Sequence, residues 1–559
     1  MPQPDNANSP AQPTNKPTNE PPGKPAATPA SPPRKPAKRA FQAPKGTRDW
    51  YPADANLRRY ITEAWRNASI RHGFEEIDGP TLEDADLYKV KSGDGILAEM
   101  FGVFSGKSPE DVAQVRETGE APLVLRPEFT PTLARMVAAR AAQLPKPTKW
   151  FTAGPFFRAE RPQRGRLREF LQWNVDFVGL PAVPDAPSEN AKDAKAAKHE
   201  PYAADAERAE ARRGERSDAK VGRLSEPDSL PPATEPPAHV PLAEARARAD
   251  AECIACCIEL LRQLGLTSND VKLRINDRSV VTNLLLAHFE PEQIPACLSI
   301  LDQRSKSSES ELQAAALARG LDADLLLGLP ETLENQYPMS RLQEPEATLN
   351  LDAGRGSAFR ALTLLGNALD ELVVHDWCVP DLSIVRGLAY YTGMVFEVIA
   401  DGERAVAGGG RYDNLIELFG GPPTPAVGFG MGDVVLTNLL RDKGLLPEGA
   451  ALLDRLSAPP ASSRPDAFVF TADEALDPIV RRLVADLRRG TGHSPLHARH
   501  PYKATRNIGK LLKEAAAQHA RVAVIIESDT TATIKPLDGG EQSQCAIADA
   551  PDAVRRALA

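Results

Sequence analysis

The sequence predicts an α+β fold, and three observations carry that prediction. Two aromatic-rich, strand-like segments, KWFTAGPFFRAE and REFLQWNVDFVGL, flank the charged RPQRGRLRE, the pattern of a long antiparallel hairpin with a cationic tip. Residues 280–375 are helix-rich. Residues 465–559 alternate strand-like AFVFTA and RVAVIIES with helix-like DPIVRRLVADLRRG and IGKLLKEAAAQHA, which argues a small α/β unit with a mixed sheet.

Composition bounds what these pieces do. The 559 residues allow roughly three or four domains. Apolar residues make up 42% and charged residues 26%, enough to build cores. The 51 prolines exceed the usual ~5% share and cluster between periodic segments. A net charge of −9 excludes a uniformly basic nucleic-acid coat but not local basic patches. No run of 18 or more apolar residues suggests a membrane span. The opening MPQPDNANSP lacks the apolar stretch of a secretory signal, and six cysteines make no disulfide framework, so the expected compartment is the cytoplasm.

Along the chain, residues 1–40 hold twelve prolines and several Lys and Arg, and read as a disordered basic tail. The prolines argue against the amphipathic helix of a transit peptide. Periodic structure begins at Phe41, with a helix expected from Ala55 to His72 and a strand and turn in EEIDGPTLE. PLVLRPEFTPTLARMVAA reads as a buried strand, a Pro-marked turn and a helix starting near Pro131. Pattern vanishes from about Pro181 to Ala245, an Ala-, Pro-, Glu- and Lys-rich stretch read as a disordered insertion. Helical periodicity returns in ADAECIACCIELLRQLG, VKLRIND is a strand, and SIVRGLAYYTGMVFEVIA is strand-like. AVAGGGRYDNLIELFGG and PAVGFGMGDVVLTNLL follow, before the Pro/Ser-rich SAPPASSRPD.

Four motifs bear on chemistry. Arg158, Arg161, Arg164, Arg166 and Arg168 put five guanidiniums and no aspartate into eleven residues. Such a loop is either a solvated hairpin tip or a clamp for phosphate-rich ligands, with strand Arg158 gripping a polyphosphate and loop arginines reaching a nucleic-acid backbone. In LRPEFT, Glu128 and Thr130 are either an ammonium-binding pair or a helix start with Thr as its cap. The glycines of AGGGRYDNL allow close backbone approach to a ligand, or form a bulged strand or turn; the spacing matches neither a dinucleotide fingerprint nor a P-loop. Cys253-x-x-Cys256-Cys257 lacks a second ligand pair and reads as buried apolar cysteines, so no metal site is expected.

Together these stretches resemble the histidyl-tRNA synthetases, a class II aminoacyl-tRNA synthetase family, from about Pro44 to the end apart from the 181–245 insertion. KGTRDWYP (45–52) resembles the family's N-terminal signature, and FFRAERPQRGRLREFLQWNVDFVG (156–179) its motif 2. RGLAYYTG and GGGRYDNL resemble its two histidine-specific motifs. The resemblance implies a catalytic region over 41–455 whose antiparallel sheet is flanked by helices, with a helical insertion at about 290–375. It further implies a linker at 456–464 and a C-terminal α/β anticodon-binding domain at 465–559.

It also implies residue roles. Arg158 contacts the ATP α-phosphate and stabilises charge on phosphorus, Glu160 binds the adenine side and Phe170 stacks on the base. Glu128, Thr130, Gln172 and Asp176 hold the amino group and backbone of histidine, Tyr390 and Tyr391 border the imidazole pocket, and Gly408 and Gly410 lie beside it. Arg386 is the family's special arginine beside the α-phosphate, where related synthetases use a metal. Arg158 and Arg386 are thus the expected catalytic pair. Arg164, Arg168, Lys503, Arg506 and Lys510 are expected on tRNA, the last three in the basic HARHPYKATRNIGKLLK run, which otherwise reads as an ordinary basic helix face. ATP with Mg2+, histidine and histidine tRNA are the expected partners of a homodimer with no membrane attachment.

Three positions depart from the family pattern: Ala389 replaces an aspartate, Asp176 stands where Glu is common, and Val435 replaces the motif 3 arginine that holds the ATP γ-phosphate. Arg166 is the expected replacement for that contact. The rival reading is a non-catalytic regulatory paralogue that binds histidine or tRNA; the retained Arg158 and Arg386 and the C-terminal unit favour the ligase.

Overall fold

The cationic hairpin organises the fold. In the computed structural model, which describes residues 41–92, 100–180, 239–301, 303, 307–328, 353–381, 384, 391–400, 404–502 and 505–559, strands Thr148–Phe157 and Glu169–Val178 pair antiparallel from Thr148↔Val178 to Phe157↔Glu169. They seed an eight-stranded sheet. Its order is Glu75–Glu76, Thr148–Phe157, Glu169–Val178, Ala426–Gly432, Ala407–Arg411, Met394–Ile399, Lys272–Asp277 and Cys378–Pro380. The six inner strands are antiparallel, while each short edge strand joins in parallel. A three-stranded sheet, Leu82–Asp84, Leu123–Leu125 and Phe101–Val103, stands beside it.

Period-two alternation gives the large sheet two different faces. Leu171, Trp173, Val175 and Phe177 point into the main core, against helices Pro52–Arg71, His239–Gln263 and Asp433–Asp442. Helix Pro52–Arg71 starts on Pro52, whose missing N–H costs nothing at that position, and buries Ile61, Trp65, Ala68 and Ser69 on one stripe. Trp65 stacks on Trp173 at 6.3 Å, and Trp173 Nε1 donates to Ser69 Oγ at 2.8 Å. The opposite face carries Phe170, Gln172, Asn174 and Asp176.

Two sequence expectations shift. The helix expected to resume after Ala245 begins at His239. Its Ala-, Arg- and Glu-rich start reads as low complexity, yet these are strong helix formers, and Ala245, Ala247 and Ala249 are buried. The helical piece expected at about 290–375 divides. Residues Val281 to Leu327 enclose a small core of their own, whereas helix Ala353–Glu371 sends Leu362, Leu365, Ala368 and Leu369 into the main core. Both parts are helical and amphipathic, so periodicity does not separate them. The tail 1–40 and most of the insertion expected at 181–245 lie outside the described residues.

Residues 467–546 contribute a five-stranded mixed sheet in the order Ala498–Arg499, Ala467–Thr471, Val522–Ile526, Thr531–Pro536 and Ser543–Ala546. Its helix Asp477–Arg489 buries Val480, Leu483, Val484 and Leu487 and stops at Gly490, whose φ of +64° suits a left-handed cap. A buried ionic cluster joins this unit to the large sheet. Glu252 accepts from Lys149 Nζ and Arg488 Nη1, each at 2.8 Å, and Lys149 also donates to Tyr502 Oη at 2.8 Å. Among the described residues no helix is long and apolar enough to cross a membrane.

Candidate active site

Strand register brings the polar residues of the hairpin over a floor of glycine. Gln172, Asn174 and Asp176 lie opposite Gly432, Gly430 and Gly428, and the last two pair onward with Gly408 and Gly410. Directly paired residues share a sheet face, so this face is stripped of side chains where the three polar groups project. The space is tight. A Cβ on Gly428 would lie 2.1 Å from Asp176 Oδ1, and one on Gly430 would lie 2.9 Å from Gln172 Nε2. A Cβ on Gly410 would meet Tyr391 Cδ1 at 2.9 Å.

Asp176 is buried, and the Tyr412 hydroxyl donates to its carboxylate. A buried carboxylate that accepts from a hydroxyl, over a floor of glycine that leaves room beside it, suits an ammonium ligand. Gln172 Nε2 donates to Asn174 Oδ1 at 2.7 Å, which fixes both amides. Tyr391 is buried beside Phe129, Phe156 and Tyr412, forming an apolar wall with an aromatic lining.

The wall next to the hairpin comes from LRPEFT. Arg126 is almost fully buried. Its Nη1 donates to Asp78 Oδ1 at 2.8 Å and to the Gly79 carbonyl at 2.9 Å, and its Nε donates to the Pro155 carbonyl at 3.0 Å. These bonds lock the chain just before Pro127. Glu128 is half-buried, and its carbonyl accepts from Tyr88 Oη at 3.4 Å. Thr130 is the first residue of helix Thr130–Arg140, and the N-cap is Phe129 without a side-chain cap bond. The capping reading of Thr130 is therefore corrected: it stands one residue too late to cap.

The arginines sort by partner. Arg158 Nε donates to the Pro127 carbonyl at 3.2 Å, and its guanidinium lies 5.2 Å from the Phe170 ring centre. Arg166 ion-pairs with Glu160, so the γ-phosphate candidate and the adenine-side candidate hold each other. Arg164 pairs with Asp442 at 2.6 Å, and Arg168 Nε donates to the Glu160 carbonyl at 3.1 Å. The N-terminal signature braces this loop from below. The Gly46 carbonyl accepts from the Arg168 and Glu169 amides, and Arg48 pairs at 2.8 Å with Asp433, which also accepts from the Leu171 amide. Burial pushes the Asp433 carboxyl up, and Arg48 opposes the shift.

Arg386, Tyr390 and Lys503 lie outside the described residues. Arg506 and Lys510 are exposed around the start of helix Ile508–Ala517. The basic run containing them is not one helix face: His497 and His500 are held below the ordinary histidine range, to about 3 and about 4, chiefly by burial. Cys253, Cys256 and Cys257 are buried within helix His239–Gln263, and burial raises all three thiols.

Sequence reasoning passes over Arg126, Asn174, Tyr412, Gly428 and Gly430. A signal for the glycines is present in the alternation of GGGRYD and VGFGMG, which strips one face of two neighbouring strands. Arg126 carries no such signal.

This arrangement can be compared with known proteins. The family model described as histidyl-tRNA synthetase matches residues 46–186 and 242–433, which takes in the hairpin, LRPEFT and both glycine strands. The chain belongs to the histidyl-tRNA synthetase family. A histidine–tRNA ligase of Halobacterium salinarum is 32% identical over 524 residues, covering 91% of this chain and 96% of that protein. One of Haloarcula marismortui is 30% identical over 90% of this chain and 95% of its own length. The chloroplastic/mitochondrial histidine–tRNA ligase of Arabidopsis thaliana is 28% identical over 90% of this chain and 85% of its own. The crystal structure of the histidyl-tRNA synthetase from Nostoc sp. PCC 7120 shares the fold, with a TM-score of 0.51 and 21% identity, covering 93% of this chain and 100% of that one.

Proposed function

We infer that this chain is a histidine–tRNA ligase that joins histidine to the 3′ end of histidine tRNA through histidyl-adenylate. The observation that carries the reading is the buried Asp176–Tyr412 pair above the glycine floor, on the second strand of the hairpin whose tip carries the arginines. An amino-acid ammonium fits the first, and a nucleoside triphosphate fits the second. In the first step a carboxylate oxygen of histidine attacks the α-phosphorus, the bond to the bridging oxygen breaks, and pyrophosphate leaves. Two anions must approach, so fixed positive charge is the main lever. Arg158 and Arg386 supply it in this reading, Phe170 stacks on adenine, and Glu160 faces its amino edge. Mg2+ enters with ATP as part of the substrate; among the described residues no group of three His, Cys, Asp or Glu is placed to hold a metal of its own.

In the second step a hydroxyl of the terminal adenosine attacks the acyl carbon and AMP departs. Arg164 and Arg168 at the hairpin, with Arg506 and Lys510 on the C-terminal unit, are the proposed tRNA contacts, supported by the exposure of Arg164, Arg506 and Lys510. Residues 465–559 are read as the anticodon-binding domain, and the active form as a cytoplasmic homodimer, both on family grounds. The decisive experiment is ATP–pyrophosphate exchange with each of the twenty amino acids in turn. Exchange with histidine alone is expected; exchange with a different amino acid, or binding of histidine without exchange, would overturn the ligase reading.

A further inference from the structure

Class II chemistry at this site leaves one electrostatic gap. Val435 is apolar, buried and part of the main core, so the position of the motif 3 arginine offers the triphosphate no cation. The expected substitute, Arg166, is engaged by Glu160, and Arg164 is engaged by Asp442.

Another arginine reaches the same place from a different strand connection. Strands Met394–Ile399 and Ala407–Arg411 are antiparallel neighbours, and Arg404 lies in the connection between them, just before the second strand. The register fixes which end of the sheet that connection occupies. Ala407 pairs with Met431, and Gly432 pairs with Gln172, so the connection stands at the end where the hairpin tip and helix Asp433–Asp442 begin. At that end Gly165, at φ +77°, forms the tip of the arginine loop. A Cβ built on Gly165 would lie 3.2 Å from Val435 Cγ2 and 3.5 Å from Arg404 Cδ. Both side chains therefore converge on one point of the loop. Arg404 is exposed, and no carboxylate among the described residues pairs with it.

We propose that Arg404 takes over the ATP γ-phosphate contact that Val435 cannot make, so that this chain carries the cation in the connection between its two histidine-site strands. This rests on the ligase reading for its substrate. A guanidinium that reaches the loop tip from another strand connection can meet the terminal phosphate bidentately, whereas Arg166 would first have to leave Glu160.

The test is calorimetric binding of ATP and of AMP to the full chain and its R404A, R404K and R404A/V435R variants, with histidine-dependent exchange measured alongside. R404A is expected to weaken ATP binding at least tenfold and to leave AMP binding within twofold, because AMP has no γ-phosphate. R404K should fall between, and V435R in the R404A background should recover most of the ATP affinity. R404A that binds ATP as the parent does, or that loses AMP and ATP equally, would overturn the proposal. If the parent shows Arg404-dependent ATP binding but no histidine-dependent exchange, the ligase reading fails while the phosphate contact stands. If the parent exchanges with histidine and R404A changes nothing, the ligase reading stands and the phosphate contact fails.

Discussion

Replacing Glu252 with glutamine should loosen the C-terminal unit from the large sheet. Glu252 sits on helix His239–Gln263 and accepts from Lys149, on the strand Thr148–Phe157, and from Arg488, on the helix Asp477–Arg489. The three side chains are 4%, 7% and 2% exposed, so water screens none of them. Burial alone would raise the Glu252 carboxyl, but Arg488 and Lys149 outweigh it and hold it well below its ordinary range. Lys149 is lowered to about 8 by burial even with Glu252 beside it. The E252Q side chain keeps the shape and an acceptor but leaves two buried cations without a counter-charge. Breaking such a pair costs about 3–5 kcal/mol. The lower end applies because Lys149 can shed its proton, at ~1.4 kcal/mol for each unit that its pKa falls. If the C-terminal unit melts separately, ~3 kcal/mol lowers its transition by on the order of 10 °C. Differential scanning calorimetry reads the shift, and hydrogen exchange along 477–489 locates it. The E252Q/R488M/K149M triple variant should recover much of the loss, since apolar replacement of a buried ion set is close to neutral. An E252Q protein that melts within about 1 °C of the parent, a small fraction of that shift, with unchanged exchange in that helix, would refute the reasoning.

Further outcomes follow from the same geometry. D176N should reduce kcat/KM for histidine by roughly 10–100-fold, the value of a charged hydrogen bond, with the KM for ATP unchanged; equal damage to both substrates would argue for misfolding. G428A should be at least as damaging, because the new Cβ would occupy the place of the Asp176 carboxylate, and exchange kinetics with a circular dichroism control decide it. R158A should cost about 10²–10³ in exchange rate, as loss of one preorganised charge at a reacting centre does. Acidification should destabilise the protein. His497 and His500 are depressed to about 3 and about 4, so below about 6.5 the unfolded chain takes up protons that the folded chain refuses, and stability falls as pH falls. Asp250, raised to about 6 by burial, works in the opposite direction between about 6 and its ordinary value. His72, held well below its ordinary range chiefly by burial, adds to the two histidines, so between about 6.5 and about 6, before the raised carboxyls take up protons, stability falls as pH falls; a flat or rising melting temperature in that window would contradict it.

What is legible in the sequence divides from what is not along a physical line. Repeating local patterns survive folding: the alternation in REFLQWNVDFVGL places its strand and its two faces, and the i, i+3, i+4, i+7 spacing of Val480, Leu483, Val484 and Leu487 places their helix. Contacts set by register do not show themselves in a single segment. Nothing near Asp176 in the chain announces Tyr412, 236 residues away, or the glycine that must lie opposite it. Helix Ala353–Glu371 escapes assignment to its core for the same reason, since its amphipathic stripe is indifferent to which core receives it. The substitution at Val435 shows the limit most clearly. One strand connection lacks a cation, and the residue standing beside the gap, Arg404, belongs to another connection whose neighbours in sequence give no hint of it. A charge needed at a point in space constrains the sum of the groups around that point and leaves open which strand provides it. A departure from a linear motif is therefore weak evidence for lost function until the residues converging on the same point have been counted.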